Sequence, residues 1–153
     1  MSTSTRSTGR PAARDLLDPR GPRFAASLTT LLLVVALLVA PSALSVALLV
    51  VQGVVFGIGA GAGVQRTPYA WVFRTLVRPR LGAPGELEDA APPRFAQTVG
   101  LGFTVVALAG YLLGLDLLGA VATGFALAAA FLNAAFGFCL GCEVYLLARR
   151  VTH

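Results

Sequence analysis

Long apolar runs, broken at only a few positions, dominate the chain. No charged residue occurs from Phe24 to Gln65, and a second apolar stretch extends from Phe95 to Cys142. Pro41-Ser42 divides the first run, and Gly114-Leu115-Asp116 divides the second. Each piece is close to or above the roughly 20 apolar residues that a helix needs to cross a bilayer. The pattern predicts an all-α membrane protein whose four transmembrane helices occupy about 24–40, 43–64, 95–113 and 117–147.

Polar segments precede and separate these runs. Residues 1–17 are rich in Ser, Thr, Arg and Pro and contain too few apolar side chains to repay ordering. We therefore predict a disordered tail over 1–17, a membrane domain over 18–150 and a loop over 65–94. A secretory signal peptide around Leu28–Ala40 is the alternative for the first run. A second apolar run follows immediately, which favours a retained helical hairpin.

Composition and charge agree with a membrane location. Hydrophobic residues make up 56% of the chain and charged residues 12%, about half the charged share of a soluble domain. The net charge is +5, but the 12 basic residues are all arginine and flank apolar runs, so nucleic acid is not an expected partner. With four helices, every arginine falls on one side of the bilayer. Because positive residues stay cytoplasmic, we predict an inner-membrane protein with both termini in the cytoplasm.

A short amphipathic helix is predicted within the loop. Thr67 and Pro68 suit an N-cap and a first helical position. The apolar face would contain Tyr69, Val72, Phe73, Leu76 and Val77. Residues expected at the lipid headgroups are Trp71, Arg74, Arg78 and Arg80. A plain loop is the alternative.

The chain contains an apparent internal repeat. Asp18–Ala25 and Asp89–Ala96 both read D-x-x-x-P-R-F-A, and each precedes a predicted helical hairpin. Late in each second helix, Phe56–Ala62 matches Phe136–Cys142. Two hairpins of equal orientation would form parallel repeats about an axis normal to the membrane. Chance similarity is the alternative.

The repeat suggests how the second and fourth helices pack. Gly57 and Gly61 in one, with Gly137 and Gly141 in the other, have the G-x-x-x-G spacing that permits close helix contact in lipid. Asn133 is expected to hydrogen-bond between helices.

Two cysteines provide the candidate chemistry. Cys139 and Cys142 stand where the first copy has Gly59 and Ala62, and Glu143 follows directly. Within one helix, both thiols would share a face, about 10 Å from the cytoplasmic headgroups. A C-x-x-C pair can exchange disulfides or carry sulfur. A permanent disulfide is not expected in the reducing cytosol, nor is a position at a helix N-terminus.

Alternatives to thiol chemistry remain open. The cysteines could fill space at a helix contact, which would make this a structural or assembly protein packing with another membrane protein. A metal would need Glu143, the terminal His153 or a second copy of the chain, so no metal site is predicted. A small transporter would have few intramembrane polar groups to use. The absence of a nucleotide loop, a serine triad or a cofactor motif favours a non-enzymatic protein without a cofactor.

Several segments resemble a known family. They are D-P-R-G-P-R-F, R-P-R-L-G-A-P-G-E-L-E-D-A-A-P-P-R-F-A-Q and F-L-N-A-A-F-G-F-C-L-G-C-E. Over about residues 16–149, the chain resembles the uncharacterised bacterial membrane family called domain of unknown function 4395. Members, often actinobacterial, tend to be encoded near sulfurtransferase or thioredoxin-like proteins. The resemblance thus implies such a cytoplasmic partner for the thiols, beside the lipid bilayer and a second copy of the chain.

Overall fold

Four long apolar helices form the body of the protein. The structure, a computed structural model, describes residues 16–152, so most of the predicted tail and His153 lie outside the described residues. All four helices are long and apolar enough to cross a membrane. They are α1 (Arg20–Leu38), α2 (Ala43–Gly61), α5 (Ala91–Leu112) and α6 (Asp116–Phe136).

Shorter elements fill the connection between α2 and α5 and the end of the chain. The connection contains a 3-10 turn (Val64–Arg66), α3 (Pro68–Val72), a π-helical turn (Phe73–Val77) and α4 (Arg78–Leu81). Two short strands, β1 (Leu16–Leu17) and β2 (Glu88–Asp89), pair antiparallel, with Leu16 opposite Asp89. The last element is α7 (Leu140–Thr152).

Helices α1 and α5 begin before the predicted positions Phe24 and Phe95. An aspartate stands just before each of them and accepts an N–H of its first turn: Asp18 Oδ1 accepts the N–H of Arg20 at 3.0 Å, and Asp89 Oδ1 accepts the N–H of Ala91 at 2.9 Å. Hydropathy marks where the apolar run starts, whereas the cap determines where the helix starts. The additional first turn of each helix is polar and contains proline, which a first turn tolerates.

The predicted fourth helix, 117–147, is two helices in the structure. Helix α6 ends at Phe136, and Gly137 follows in the left-handed conformation with φ of 66°. The N–H groups of Gly137 and Phe138 donate to the carbonyls of Asn133 and Leu132 at 3.0 and 3.3 Å. Many helices end in this way, with a glycine in the left-handed conformation directly after the last helical residue. The prediction is corrected here: Gly137 ends a helix, and the residues from Leu140 onwards form the separate helix α7.

Helices α1 and α2, in the first half of the chain, pack mainly against α6 and α5 of the second half. The most extensive contacts join α1 with α6, α2 with α5, and α5 with α6. A buried cluster at these contacts is made largely of small residues and leucine: Leu33, Ala36, Leu49, Ala107, Ala122 and Ala126. Small side chains let helix backbones approach closely where lipid gives no hydrophobic drive for association.

The glycine pairing expected between the second and fourth helices is not the packing found. A side chain added at Gly57 or Gly61 would meet nothing within 4 Å. The partner of α2 is α5, where the Phe56 ring covers Gly100, 2.8 Å from the position of an added Cβ. The glycine spacing identifies helices with small residues on one face. Which of these faces contact another helix depends on the pairing of α1 with α6 and of α2 with α5.

The two ends of the bundle differ in polarity. At one end, β1, β2 and the loop surround the starts of α1 and α5, and Arg20 donates to the carbonyls of Leu81 and Gly82. The Arg20 side chain, hydrogen-bonded to Asp18, holds the pKa of that carboxyl below its ordinary value. The opposite end has two short turns, after α1 and after α5. The basic and acidic residues of the loop therefore gather at a single end.

Candidate thiol site at the start of helix α7

The two cysteines lie at the beginning of a helix. Cys139 immediately precedes α7, and Cys142 is in its first turn. Gly137 redirects the chain after α6, so that Phe138 and Cys139 form the link between the two helices. Both cysteines are partly exposed. The expectation of a mid-helix pair is corrected by the same glycine that ends α6.

Cys139 and Cys142 form a disulfide, with Cα atoms 5.2 Å apart. The N–H of Cys142 donates to Cys139 Sγ at 3.2 Å, and the N–H of Glu143 donates to the Cys139 carbonyl at 3.0 Å. Cys139 therefore takes the place of an N-cap residue, with its sulfur as the acceptor. The expectation of a position away from a helix N-terminus is therefore wrong, whereas the expectation that no disulfide is permanent in a reducing cytosol stays a prediction.

This placement has a chemical consequence. The N-terminus of a helix carries unpaired N–H groups and a partial positive charge, which stabilise an anion. A cysteine at a helix N-terminus forms its thiolate more readily than a free cysteine does, and the thiolate is the reactive form. After reduction, Cys139 would be the sulfur best placed to attack, because its Sγ already accepts a backbone N–H.

Close contacts hold the start of α7 against α5. A Cβ added at Gly141 would lie 2.6 Å from the Cβ of Ala96, so only glycine permits this approach. One turn later, the rings of Tyr145 and Phe95 have centroids 5.6 Å apart, and the Arg149 guanidinium lies 5.9 Å from the Tyr145 ring centroid. Of the glycines predicted to pack, Gly141 does so, but against α5.

Arg23 reaches the same region from α1. Its guanidinium donates to the Ala134 carbonyl at 3.4 Å, and its Nε lies 3.5 Å from where a Cβ on Gly137 would stand. Arg94, at the equivalent place in the second D-x-x-x-P-R-F-A segment, donates to the carbonyls of Ala60 and Gly61 at 2.8 and 2.7 Å. Each arginine thus binds the C-terminal end of a helix in the other half of the chain.

Glu143 is exposed on the outer side of α7. It lines a shallow groove of about 250 Å³ together with Leu140, Val144, Leu146, Leu147 and Arg150. Its backbone N–H donates to the Cys139 carbonyl, and neither cysteine lines the groove. Within residues 16–152, no group of three or more His, Cys, Asp or Glu side chains is placed to hold a metal ion.

The remaining predicted residues are spread over the molecule. Thr67 accepts the N–H of Ala70 at 3.2 Å, so α3 begins where the sequence placed it. Phe73 is buried, with its ring centroid 5.8 Å from that of Phe24, whereas Leu76 on the same predicted face is 59% exposed. Asn133 is partly buried, and its backbone carbonyl accepts the N–H of Gly137 at the end of α6. The predicted interface residues Trp71, Arg74, Arg78 and Arg80 are all exposed.

The sequence profile of one family matches most of the chain. Described as "Domain of unknown function (DUF4395)", it matches residues 17–150. The chain belongs to this family. The DUF4395 match spans all four apolar helices and the C-x-x-C segment, and it confirms the resemblance inferred from the sequence. No curated protein and no solved structure matches the chain.

Sequence reasoning missed a buried polar contact within the first half of this DUF4395 protein. Gln52 is fully buried; it donates to Thr29 Oγ1 at 3.3 Å and accepts the Tyr69 hydroxyl at 2.9 Å. The available signal was a single glutamine in an otherwise apolar helix, because a polar group in lipid must find a partner. The sequence marked Arg23 and Arg94 as topology signals and as members of the repeated motif, but not as residues that each bind the end of a helix in the opposite half.

Proposed function

We propose that this protein exchanges electrons or sulfane sulfur with a cytoplasmic partner through Cys139 and Cys142. The observation that carries the proposal is the disulfide at the start of α7, in which Cys139 Sγ accepts the N–H of Cys142. Partial exposure of both residues gives a partner access to the bond.

The proposed redox cycle begins with a partner dithiol. A partner thiolate attacks Cys139 Sγ, forms a mixed disulfide and releases Cys142 as a thiolate. The partner's second thiolate then attacks its own sulfur in the mixed disulfide and releases Cys139. The pair gains two electrons, and two protons follow to the thiols, while the partner becomes a disulfide. Glu143, beside Cys142, is a proton acceptor for the return reaction.

Sulfur transfer uses the reduced pair and a partner persulfide. The Cys139 thiolate attacks the outer sulfur, takes it as a persulfide and releases the partner as a thiol. The Cys142 thiolate then attacks Cys139 Sγ, which forms the disulfide and releases hydrosulfide. A dithiol protein would reduce the pair again. Sulfurtransferase-like and thioredoxin-like proteins, which the family resemblance suggests, are suited to these two steps.

The location proposed for this chemistry is the cytoplasmic face of the inner membrane. All arginines from Arg20 to Arg94 belong to the segments around the polar end of the bundle, and Arg149 and Arg150 end α7. This distribution supports cytoplasmic termini. The exposed Trp71, with the arginines of α3 and α4, supports a headgroup position for that connection.

A two-fold repeat is proposed to underlie the arrangement. Asp18 and Asp89 make the same cap, and Arg23 and Arg94 make the same kind of contact across the halves. In each half, the segment after the second long helix returns to the first: α3 to α1, and α7 to α5. Only the second copy carries the cysteines.

Mixed-disulfide trapping tests the proposed thiol function. Removing the resolving sulfur with Cys142→Ala should accumulate a partner adduct at Cys139 in cells, visible as a slower band on a non-reducing gel. Cys139→Ala should give little adduct. Ala62, which is exposed, stands in the first copy of the repeat where Cys142 stands in the second. Ala62→Ser is therefore the control variant and should not cause an adduct to accumulate.

Labelling with a membrane-impermeant maleimide complements the trapping. Wild-type protein in inside-out vesicles should react more after reduction, and protein in intact cells should not react. An absence of adduct in Cys142→Ala, together with no labelling from either face after reduction, would contradict the thiol function.

An assembly role is the alternative, supported by the exposed apolar surface of α7. Val144, Leu147 and Val151 are 52%, 62% and 80% exposed on this short helix. In that case, replacing both cysteines with alanine should leave association with another membrane protein unchanged, while Leu147→Glu should abolish it. Co-purification of the two variants separates this role from the thiol function.

A further inference from the structure

We propose that Arg23 stabilises the thiolate form of Cys139 and so sets the reactivity of the C-x-x-C pair. The inference rests on the proposed thiol function and adds a positioning residue from the other half of the chain. Arg23 lies in α1, more than a hundred positions away from the cysteines in sequence, and none of the cysteine-containing motifs includes it.

Arg23 lies close to the residues that lead from α6 to Cys139. The Arg23 Nε and Cζ lie 3.5 and 3.6 Å from the position of a Cβ on Gly137, and Gly137 is two residues before Cys139. Two residues of chain span at most about 7 Å. With the Cβ–Cα bond of about 1.5 Å included, the guanidinium is within roughly 12 Å of the Cys139 Cα, a separation at which an exposed charge such as Arg23 still acts at low salt.

The contact of Arg23 with the end of α6 favours the thiolate form of Cys139 over the thiol. The left-handed Gly137 brings the C-terminus of α6 and the N-terminus of α7 together. The end of α6 carries partial negative charge, which would oppose a thiolate nearby. Arg23 donates to the Ala134 carbonyl and so compensates that end, leaving the positive end of α7 to act on Cys139.

The helices around Cys139 carry several other charged side chains. On α7, Glu143 is exposed and opposes a thiolate, while Arg149 and Arg150 lie at the far end of the helix. From α5, the Arg94 guanidinium is held by the carbonyls of Ala60 and Gly61. Helix α6 contributes only Asp116, at its opposite end. Within residues 16–152, Arg23 is the cation that lies against Gly137, two residues before Cys139.

Arg94 provides a matched control for Arg23. Both residues follow a proline in the same D-x-x-x-P-R-F-A motif, and both donate to the C-terminal end of a long helix. The end bound by Arg94, however, leads into a segment without cysteine. Loss of either arginine removes one contact between the halves, but loss of Arg23 should change the thiol more, because the Arg94 guanidinium is bound to the end of α2.

The experiment measures alkylation rate against pH. Full-length protein carrying Cys142→Ser, in lipid nanodiscs, is reduced and treated with iodoacetamide, and the pH midpoint of the Cys139 reaction is recorded. We expect Arg23→Gln to raise this midpoint by about half a pH unit, because the exposure of Arg23 weakens the Coulomb interaction at this separation. Arg23→Lys keeps the positive charge and should keep the midpoint close to that of the protein with Arg23, and Arg94→Gln should raise the midpoint less than Arg23→Gln does.

An unchanged midpoint in Arg23→Gln, or an equal rise in Arg94→Gln, overturns the proposal. If Arg23→Gln does not fold, the salt dependence of the midpoint with Arg23 in place decides, since salt screens such a charge. A midpoint that rises from about 0.01 to 1 M salt supports Arg23, and a constant one overturns it. A shifted midpoint combined with failed adduct trapping supports the Arg23 inference while contradicting the proposed function.

Discussion

At the residue scale, glycines of similar sequence context have very different surroundings. Gly141 is pressed against Ala96, whereas Gly57 faces open space. Gly110 and Gly119 form another close approach, because a Cβ on Gly110 would lie 2.6 Å from the Gly119 backbone nitrogen. Sequence spacing does not distinguish these cases, since it contains no information about which helix lies opposite.

We predict that Gly141→Ala destabilises the attachment of α7. Its Cβ would lie 2.6 Å from the Cβ and 2.7 Å from the Cα of Ala96, so α7 has to move, at a cost of about 1–3 kcal/mol. Thermal unfolding in detergent should show a lower midpoint than in wild type. Gly57→Ala is the control and should be neutral or slightly stabilising. Equal midpoints for the two variants would show that α7 does not pack tightly on α5.

Tyr69 gives a prediction about pH. Burial raises the pKa of its phenol above the ordinary value of 10.0, so the folded state favours the neutral form. The corresponding stability is complete below the unfolded pKa, near pH 10, and is lost as pH rises through the folded pKa. Denaturant unfolding should therefore show a fall in stability above about pH 10 that is smaller in Tyr69→Phe. Identical slopes in the two proteins would contradict the burial of this hydroxyl against Gln52.

At the element scale, the ends of helices separate what sequence could predict from what it could not. Helix α2 starts at the predicted residue 43, and α3 starts where the predicted N-cap Thr67 places it. An N-cap is a local property, and the hydroxyls of Ser42 and Thr67 each accept a backbone N–H three residues later. The end of α6 was missed because Gly137 also fits a packing motif. The signal available was length, since an uninterrupted helix over 117–147 would exceed a bilayer span.

We predict that the break between α6 and α7 depends on the conformation of Gly137. A non-glycine residue at φ of 66° costs about 1–2 kcal/mol, so Gly137→Ala should weaken the end of α6. Hydrogen exchange should be faster at the amides of Gly137 and Phe138. Gly124→Ala, within the same helix and with nothing near its added Cβ, should exchange as wild type does. Unchanged exchange in Gly137→Ala would indicate a continuous helix.

At the scale of the whole molecule, hydropathy was sufficient to predict a membrane protein with four long helices, but not their pairing. The four spans are apolar over most of their surfaces, so no strong polar face indicates a neighbour. Helix α1 lies against α6, and α2 lies against α5. The arginine contacts at Ala134 and Ala60 belong to this pairing, but they become interpretable only once the helices are in place.

The arrangement predicts which positions face each side of the membrane. In a Cys139→Ser/Cys142→Ser background, Ala43→Cys and Leu113→Cys place thiols at the two short turns, and Leu87→Cys places one in the loop; all three positions are exposed. The first two should react with an impermeant maleimide in intact cells. Leu87→Cys should react only in inside-out vesicles. Labelling of Leu87→Cys in intact cells would reverse the proposed orientation.

The crossed pairing also constrains how the protein is made. Synthesis proceeds from the N-terminus, so α1 enters the bilayer well before its main partner α6 exists. During that interval, the first hairpin must remain in lipid with one face uncovered. The contact of Gln52 with Thr29 and Tyr69 lies wholly within residues 29–69, so these polar groups can pair before the second hairpin is translated. The first half of the chain can therefore remain in the bilayer until the second half is inserted, with the amide of Gln52 already hydrogen-bonded.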